Sequence, residues 1–163
     1  MVLRLCEAKR VALELGRVTD RKPPFRYSAL TRVGFSDTDA QGIVYYGRYM
    51  PCFDTARVEY HRHLDLLMTD TWEEEQPVMR ATTVEYHAPA RFDDLIEVFI
   101  RVSRIGTTSM TFECAAYRVE DDVLMVTANQ TLVLVDLDER KPCPVPDWYR
   151  EKIREFEGAA LEH

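Results

Sequence analysis

Within the fifteen residues SDTDAQGIVYYGRYM, Ser36 to Met50, the chain places two aspartates, two glycines and three tyrosines. Two carboxylates so close together can divide their roles. One can serve the structure while the other acts as a nucleophile, or as a general base toward water. The residues that follow carry a helical pattern, so the stretch joins a strand to a helix, where backbone N–H groups are left without intrahelical partners. Aligned peptide dipoles add partial positive charge at that place, which suits a carbonyl oxygen turning into an oxyanion. Gly42 allows either a close backbone approach to a ligand or a positive φ. The residues alone leave two readings of Asp37, Asp39 and Gly42 open: a catalytic loop, or ordinary turn and capping chemistry.

The elements that must hold this loop follow from periodicity. Tyr27, Ala29, Thr31, Val33 and Phe35 alternate in period two, which predicts a strand over 25–35. Met50, Phe53, Ala56, Tyr60, Leu64 and Leu67 recur at three- and four-residue steps and predict a helix over 47–68, with Arg57, Glu59 and Arg62 off the apolar stripe. Pro51 fits the first turn of such a helix and marks its start more sharply than Gly47. After the acidic turn Glu73-Glu74-Glu75-Gln76-Pro77, strands are expected at 78–87, 95–105, 109–119 and 123–135, with short polar turns at Gly106-Thr107-Thr108 and Glu120-Asp121-Asp122. The stretch from Pro142 to Pro146 cannot be a central strand. Asp147 then caps a last helix over 148–157. A strand, a long helix and then consecutive strands give an α+β fold, with the helix packed on one face of an antiparallel sheet.

Composition narrows the classes. The 163 residues suit one domain with a genuine core. A net charge of -7 argues against a nucleic-acid partner, which needs a cationic face. No apolar run reaches the roughly 20 residues needed to span a bilayer, and the start lacks a signal peptide's apolar segment, so a cytoplasmic protein with no membrane partner is expected. Cys6, Cys52, Cys114 and Cys143 form no CxxC pair and are expected as free thiols. Residues 1–24 read as a charged leader ending in Arg21-Lys22-Pro23-Pro24, with Leu5, Ala8, Ala12 and Leu15 on one possible helical face. Residues 158–163 read as a tail, and Leu161-Glu162-His163 as the first residues of an affinity tag.

Other chemistry is scarce. There is no GxGxxG, P-loop, GxSxG or HExxH. His61 and His63 stand two apart on a helix, point in different directions and read as surface histidines, so no metal is expected. His87, before Ala88-Pro89, reads as structural.

The run Phe35-Ser36-Asp37-Thr38-Asp39-Ala40-Gln41-Gly42-Ile43-Val44-Tyr45-Tyr46, with Tyr49 beyond it and Ala56-Arg57-x-Glu59 on the helix, resembles the signature of the 4-hydroxybenzoyl-CoA thioesterase family. Val84-Glu85-Tyr86-x-x-Pro89-Ala90-Arg91-Phe92-Asp93-Asp94 and Ala128-Asn129-Gln130-Thr131-Leu132-Val133 continue the resemblance, as does Pro142-x-Pro144-Val145-Pro146, over about residues 25–157. The resemblance implies a hotdog fold, in which an antiparallel sheet wraps around one long central helix. It also implies hydrolysis of an acyl-CoA thioester without a cofactor. Asp39 matches the catalytic carboxylate, and Tyr46 the residue whose backbone N–H polarises the thioester carbonyl. Gly42, Ile43, Tyr45 and Tyr49 are then expected to line the substrate, and Arg91, Arg104, Thr107 and Thr108 to contact CoA phosphates, with Arg101 beside them. Tyrosine at 46 matches the aryl-CoA type of enzyme. A homodimer or homotetramer is implied, with the site between subunits.

Two rivals stand beside this reading. A dehydratase or hydratase of the same fold pairs an acid with a histidine, and no histidine lies between Phe25 and Val58. A hotdog that binds an acyl thioester or a protein partner without turnover is the other.

Overall fold

The alternating stretch after Pro24 folds as a strand because its small and aromatic side chains fit a half-buried pleat. In the computed structural model, which describes residues 15–67 and 75–161, that strand is β2 (Tyr27–Arg32), preceded by a short β1 (Gly16–Val18). There follow α1 (Tyr49–His63), β3 (Glu75–Tyr86), β4 (Leu95–Ile105), β5 (Ser109–Arg118), β6 (Leu124–Asp136), β7 (Lys141–Pro142) and α2 (Asp147–Glu157). All pairings are antiparallel, in the order β1-β2-β4-β5-β6-β3, with β7 also on β6. This is the expected hotdog arrangement.

The apolar stripe of α1 is the centre of the core. Tyr49, Phe53, Ala56 and Tyr60 are buried against Ile96, Val98, Ile100 and Val102 of β4. Burying one such large side chain is worth about 1.5–3 kcal/mol. The helix begins at Tyr49, two residues after the position expected from periodicity, because Tyr46–Arg48 form a tighter 3-10 turn ahead of it. It ends at His63, short of the expected Met68, because the chain turns at Leu64 and at Asp65, which has φ 57°, so that Leu67 lies beyond the helix. Glu59 departs from the pattern, since it is buried and paired with Arg62 one turn on.

His61 also departs from expectation. It is no surface residue: its ring packs 5.6 Å from Phe112 and 5.8 Å from Tyr149, and Nε2 lies 3.0 Å from the Tyr149 hydroxyl. Burial, with some repulsion from Arg57, pushes its pKa down to about 4, so the imidazole is neutral. His63 is exposed at its edge but stacks on Tyr27 with centroids 5.2 Å apart. Among the described residues no cluster of histidine, cysteine, aspartate or glutamate could hold a metal.

The sheet has two unlike edges. β3 pairs with β6 on one side only, runs for 12 residues and is exposed along most of its length. The other edge is β1, which falls inside the stretch read as a leader. Leu15 is exposed, and the rest of that possible helical face, at Leu5, Ala8 and Ala12, lies outside the described residues. From β1 the chain crosses the face of the sheet opposite α1. Arg17 and Arg21 both reach Glu97, which is only 2% exposed and also accepts a hydrogen bond of 2.7 Å from Ser28 Oγ. Phe25 packs on Phe99, and Lys22 lies 4.2 Å over the Tyr117 ring.

At the far end of the sheet α2 takes over where β2 stops. Beyond the last pair, Tyr27↔Ile100, the Val102 N–H donates to Glu157 Oε1 at 3.1 Å, and the Tyr60 hydroxyl donates to the same oxygen at 2.6 Å. Among the described residues no helix is long and apolar enough to cross a membrane, and Cys52, Cys114 and Cys143 are free thiols.

Candidate active site

The loop between β2 and α1 is a small hairpin. Thr38 bridges Val44, the Tyr45 N–H donates to the Asp37 carbonyl at 2.9 Å, and the Asp39 N–H donates to the Ile43 carbonyl at 2.9 Å. Its tip, Asp39-Ala40-Gln41-Gly42, is a β-turn closed by the Gly42 N–H on the Asp39 carbonyl. Gly42 has φ 75°, and a Cβ added there would meet nothing within 4 Å. The glycine therefore serves a left-handed backbone and not a close approach.

The two aspartates are held differently. Asp37 is fully engaged: Oδ2 accepts the Gly34 N–H at 2.8 Å, and Oδ1 lies 3.3 Å from Arg48 Nε. Asp39 Oδ1 accepts the Gln41 N–H at 2.8 Å, while Oδ2 has no protein partner among the described residues. Only Asp39 keeps a carboxylate oxygen for a ligand. It borders a cleft of about 390 Å³ whose walls include Ile43, Tyr46, Tyr49, Tyr86 and His87.

The Tyr46 backbone completes the arrangement. Its carbonyl accepts the Tyr86 hydroxyl at 3.1 Å, and its N–H has no acceptor among the described residues. That N–H opens the 3-10 turn running into α1, so it is a spare donor of the kind left at every helix start. The Tyr46 side chain is 62% exposed and rests on Tyr45, with ring centroids 4.2 Å apart. Tyr49 is buried. Its hydroxyl accepts the Ala90 N–H at 3.2 Å, and burial raises its pKa despite that bond. Cys52, on the first turns of α1, is no rival nucleophile: burial foremost, with the Asp37 charge behind it, pushes its thiol up to about 11.

The sequence-derived site residues divide into three groups. Asp39, Ile43, Tyr46 and Tyr49 meet at the cleft, and Gly42 shapes the turn beneath it. Tyr45 is near but not on the cleft wall. Arg91 borders a separate polar depression that shares only Pro89 with the cleft and also contains Asp94, Arg118 and Asp121. Arg104, Thr107 and Thr108 are not brought to the cleft in one subunit. They sit at the opposite end of β4, where the Thr107 carbonyl takes the Val145 N–H and the Thr108 carbonyl takes the Leu134 N–H. Arg101 is buried mid-strand on Glu113 and the Ala160 carbonyl. His87, read from sequence as structural, lines the cleft itself. The Ala88-Pro89 step after it marked a strand end but could not show which loop that end faces.

A strand-to-helix turn that sets a half-free carboxylate beside a spare backbone N–H is the feature to compare with known proteins. The model of the Thioesterase-like superfamily matches residues 33–153. The chain belongs to this superfamily. The acyl-CoA thioesterase YbgC of Haemophilus influenzae is 34% identical over 122 residues, 74% of this chain and 88% of that protein. The acyl-CoA thioester hydrolase YbgC of Escherichia coli O157:H7 is 35% identical over 116 residues, 71% and 86% of the two chains. Among solved structures, a thioesterase superfamily protein from Jannaschia superposes with a TM-score of 0.76 at 23% identity, over 86% of this chain and 89% of that one. The 1,4-dihydroxy-2-naphthoyl-CoA thioesterase of Synechocystis superposes with a TM-score of 0.74 at 19% identity, over 80% and 96%. Asp39, Gly42 and Tyr46 all lie inside the part of the chain that the thioesterase superfamily model covers.

Proposed function

We propose that the protein hydrolyses an acyl-CoA thioester to a carboxylic acid and free CoA. The observation that carries this is the free Asp39 Oδ2 on the same cleft as the unpaired Tyr46 N–H. The thioester carbonyl oxygen accepts the Tyr46 N–H, which favours negative charge on that oxygen in the transition state. Asp39 either takes a proton from the attacking water or itself attacks the carbonyl carbon, in which case departure of CoA leaves an anhydride that water hydrolyses to the acid and free Asp39. The C–S bond then breaks and CoA leaves as the thiolate, which takes up a proton to become the thiol. A thioester is activated enough for one carboxylate and one donor, so neither a triad nor a cofactor is required. Tyr46, Tyr49 and Tyr86 on the cleft walls favour a flat or bulky acyl group.

The test is a thiol-release assay over alkyl and aryl acyl-CoAs. Because His87 shares the cleft with Asp39, the series includes a 2-enoyl-CoA, whose loss of conjugation without thiol release would mark a hydratase instead. Turnover of at least one saturated or aryl thioester is expected. Binding without turnover across the series would leave a module that only holds thioesters.

The open edge of β3 is the proposed assembly surface, since 12 residues of unpaired strand are not left bare in solution. Antiparallel pairing of two β3 strands sets the Glu75 end of one subunit beside the Tyr86 end of the other. Arg104, Thr107 and Thr108 then serve the neighbouring subunit's cleft, and Arg91 its own, as contacts for CoA phosphates. Light scattering should give a dimer or a multiple of it. Replacing Val78 and Met79, exposed on this strand, with glutamates should give monomers and cut turnover at least about tenfold through loss of positioning. Fully active monomers would refute the shared site.

A further inference from the structure

Glu157 is the most deeply buried carboxyl among the described residues, with 0% of it exposed, and the proposed hydrolysis does not use it. It is the last residue of α2 and fills the place beyond the end of β2. Oε1 accepts both the Tyr60 hydroxyl and the Val102 N–H, while Oε2 is buried with no hydrogen-bond partner. The charged and titratable groups that face it are Tyr60 from α1, Tyr149 from its own helix, Arg101 from β4 and Arg26 just ahead of β2. Burial raises the pKa of both tyrosines, so neither carries charge. Arg26 directs Nη1 to the Phe156 carbonyl at 2.9 Å, and Arg101 directs Nε to Glu113 and Nη1 to the Ala160 carbonyl. Neither guanidinium forms an ion pair with Glu157.

We infer that Glu157 is a pH-sensitive latch: its neutral acid form holds the end of α2 on the sheet, and loss of its proton releases that end. A charged carboxylate here would leave Oε2 bare in apolar surroundings, a larger cost than one unsatisfied hydroxyl. The neutral acid keeps Oε1 as acceptor for both donors and carries its proton on Oε2. Burial is the largest influence and holds the pKa above the ordinary 4.5, against the two hydrogen bonds and the pull of Arg101 and Arg26. Such a group stabilises the fold fully at pH values below 4.5, and that contribution is lost as the pH rises through the raised value. His61 acts with the opposite sign, since a folded value of about 4 makes its protonation below 6.5 destabilising. The latch therefore shows in a difference between variants and not in one profile. Arg150 of the same helix donates to the Gly106 and Thr107 carbonyls at 2.6 and 3.0 Å, so release of α2 also loosens the turn after β4.

The experiment is thermal unfolding of the full chain between about pH 4 and about pH 8. Glu157→Gln keeps an acceptor for Tyr60 and Val102 but cannot ionise. The melting temperature of the wild type, taken relative to Glu157→Gln, should fall by about 2–5 °C across that range. Amide exchange of the two proteins, compared at the same pH, should become faster in the wild type over 147–160 and over the turn 106–108 toward the top of the range. Tyr60→Phe removes a hydrogen bond that favours the charged form, so its fall in stability should lie at higher pH than that of the wild type. That variant decides the matter if Glu157→Gln does not fold, and a fall at unchanged or lower pH would then refute the latch. Parallel profiles for the wild type and Glu157→Gln would also overturn it. So would a gap that grows in favour of the wild type as the pH rises, which marks a carboxylate held by Arg26 and Arg101.

Discussion

Asp39→Asn is expected to lower kcat by at least about 10² while leaving the melting temperature and KM little changed. The reason lies in how the two carboxylate oxygens are used. Asparagine keeps a carbonyl oxygen where Oδ1 accepts the Gln41 N–H, so the turn survives. What it loses is the charge and basicity of Oδ2, which faces no protein partner among the described residues. Asp37→Asn is the matched control. Both oxygens of Asp37 are committed to the fold, one to the Gly34 N–H and one to Arg48. Its replacement should lower the melting temperature, in keeping with the 0.5–2 kcal/mol of a lost cap, about what such a contact is worth. Turnover should stay within about tenfold. Single-turnover hydrolysis in ¹⁸O-labelled water separates the two roles open to Asp39, because carboxylate oxygen enters the first product only through an anhydride. Loss of turnover in Asp37→Asn with Asp39→Asn spared would overturn the assignment.

Tyr46→Pro should lower kcat by about 10² to 10³, the range for deleting one oxyanion donor, whereas Tyr46→Phe should keep most of the activity. The phenol is exposed and engages the Tyr45 side chain, which is not on the cleft wall. The backbone N–H is the group at stake. Proline is a fair probe here because the position opens a 3-10 turn, where no N–H bond to the protein is lost. The preceding Tyr45 already has φ -59° and ψ 132°, the extended geometry that a following proline requires. Circular dichroism should therefore show an intact fold. A severe loss in Tyr46→Phe would transfer the role to the hydroxyl and sink the backbone assignment.

The layers and the loop were legible in the sequence because both are local. Period-two alternation found β2, the strands expected between short polar turns match β4, β5 and β6 to within a few residues, and the three- and four-residue stripe found α1, since each signal is set by neighbours along the chain. The Asp39–Gly42 turn was legible for the same reason. What escaped depends on contacts between distant residues. β1 is three residues long and exists only because β2 offers an edge and Glu97 attracts Arg17, a partner 80 positions away. Glu59 and His61 looked solvent-facing by spacing, yet the first is buried beside Arg62 and the second is enclosed by Phe112 and α2. His87 carried no local sign of its place, because only the pairing of β3 with β6 brings it to the loop after β2. The same holds in reverse for Arg104, Thr107 and Thr108, whose residue types suit phosphate binding but whose strand end lies away from the cleft in a single subunit.

The segment crossing the back of the sheet limits how dimers can stack. Ser28, Glu97, Phe99 and Ala115 are all 5% exposed or less, although Phe99 and Ala115 stand apart from the helix-side core. The chain has thus occupied in cis the surface over β2, β4 and the adjoining part of β5. A second dimer approaching that surface would have to pull Arg17 and Arg21 from Glu97, leaving a carboxylate buried with only Ser28 beside it, and such an unpaired charge is strongly destabilising. Back-to-back contact is therefore confined to the β6 and β3 side of the sheet. If two β3 edges join as proposed, a tetramer of this chain would be offset toward that edge.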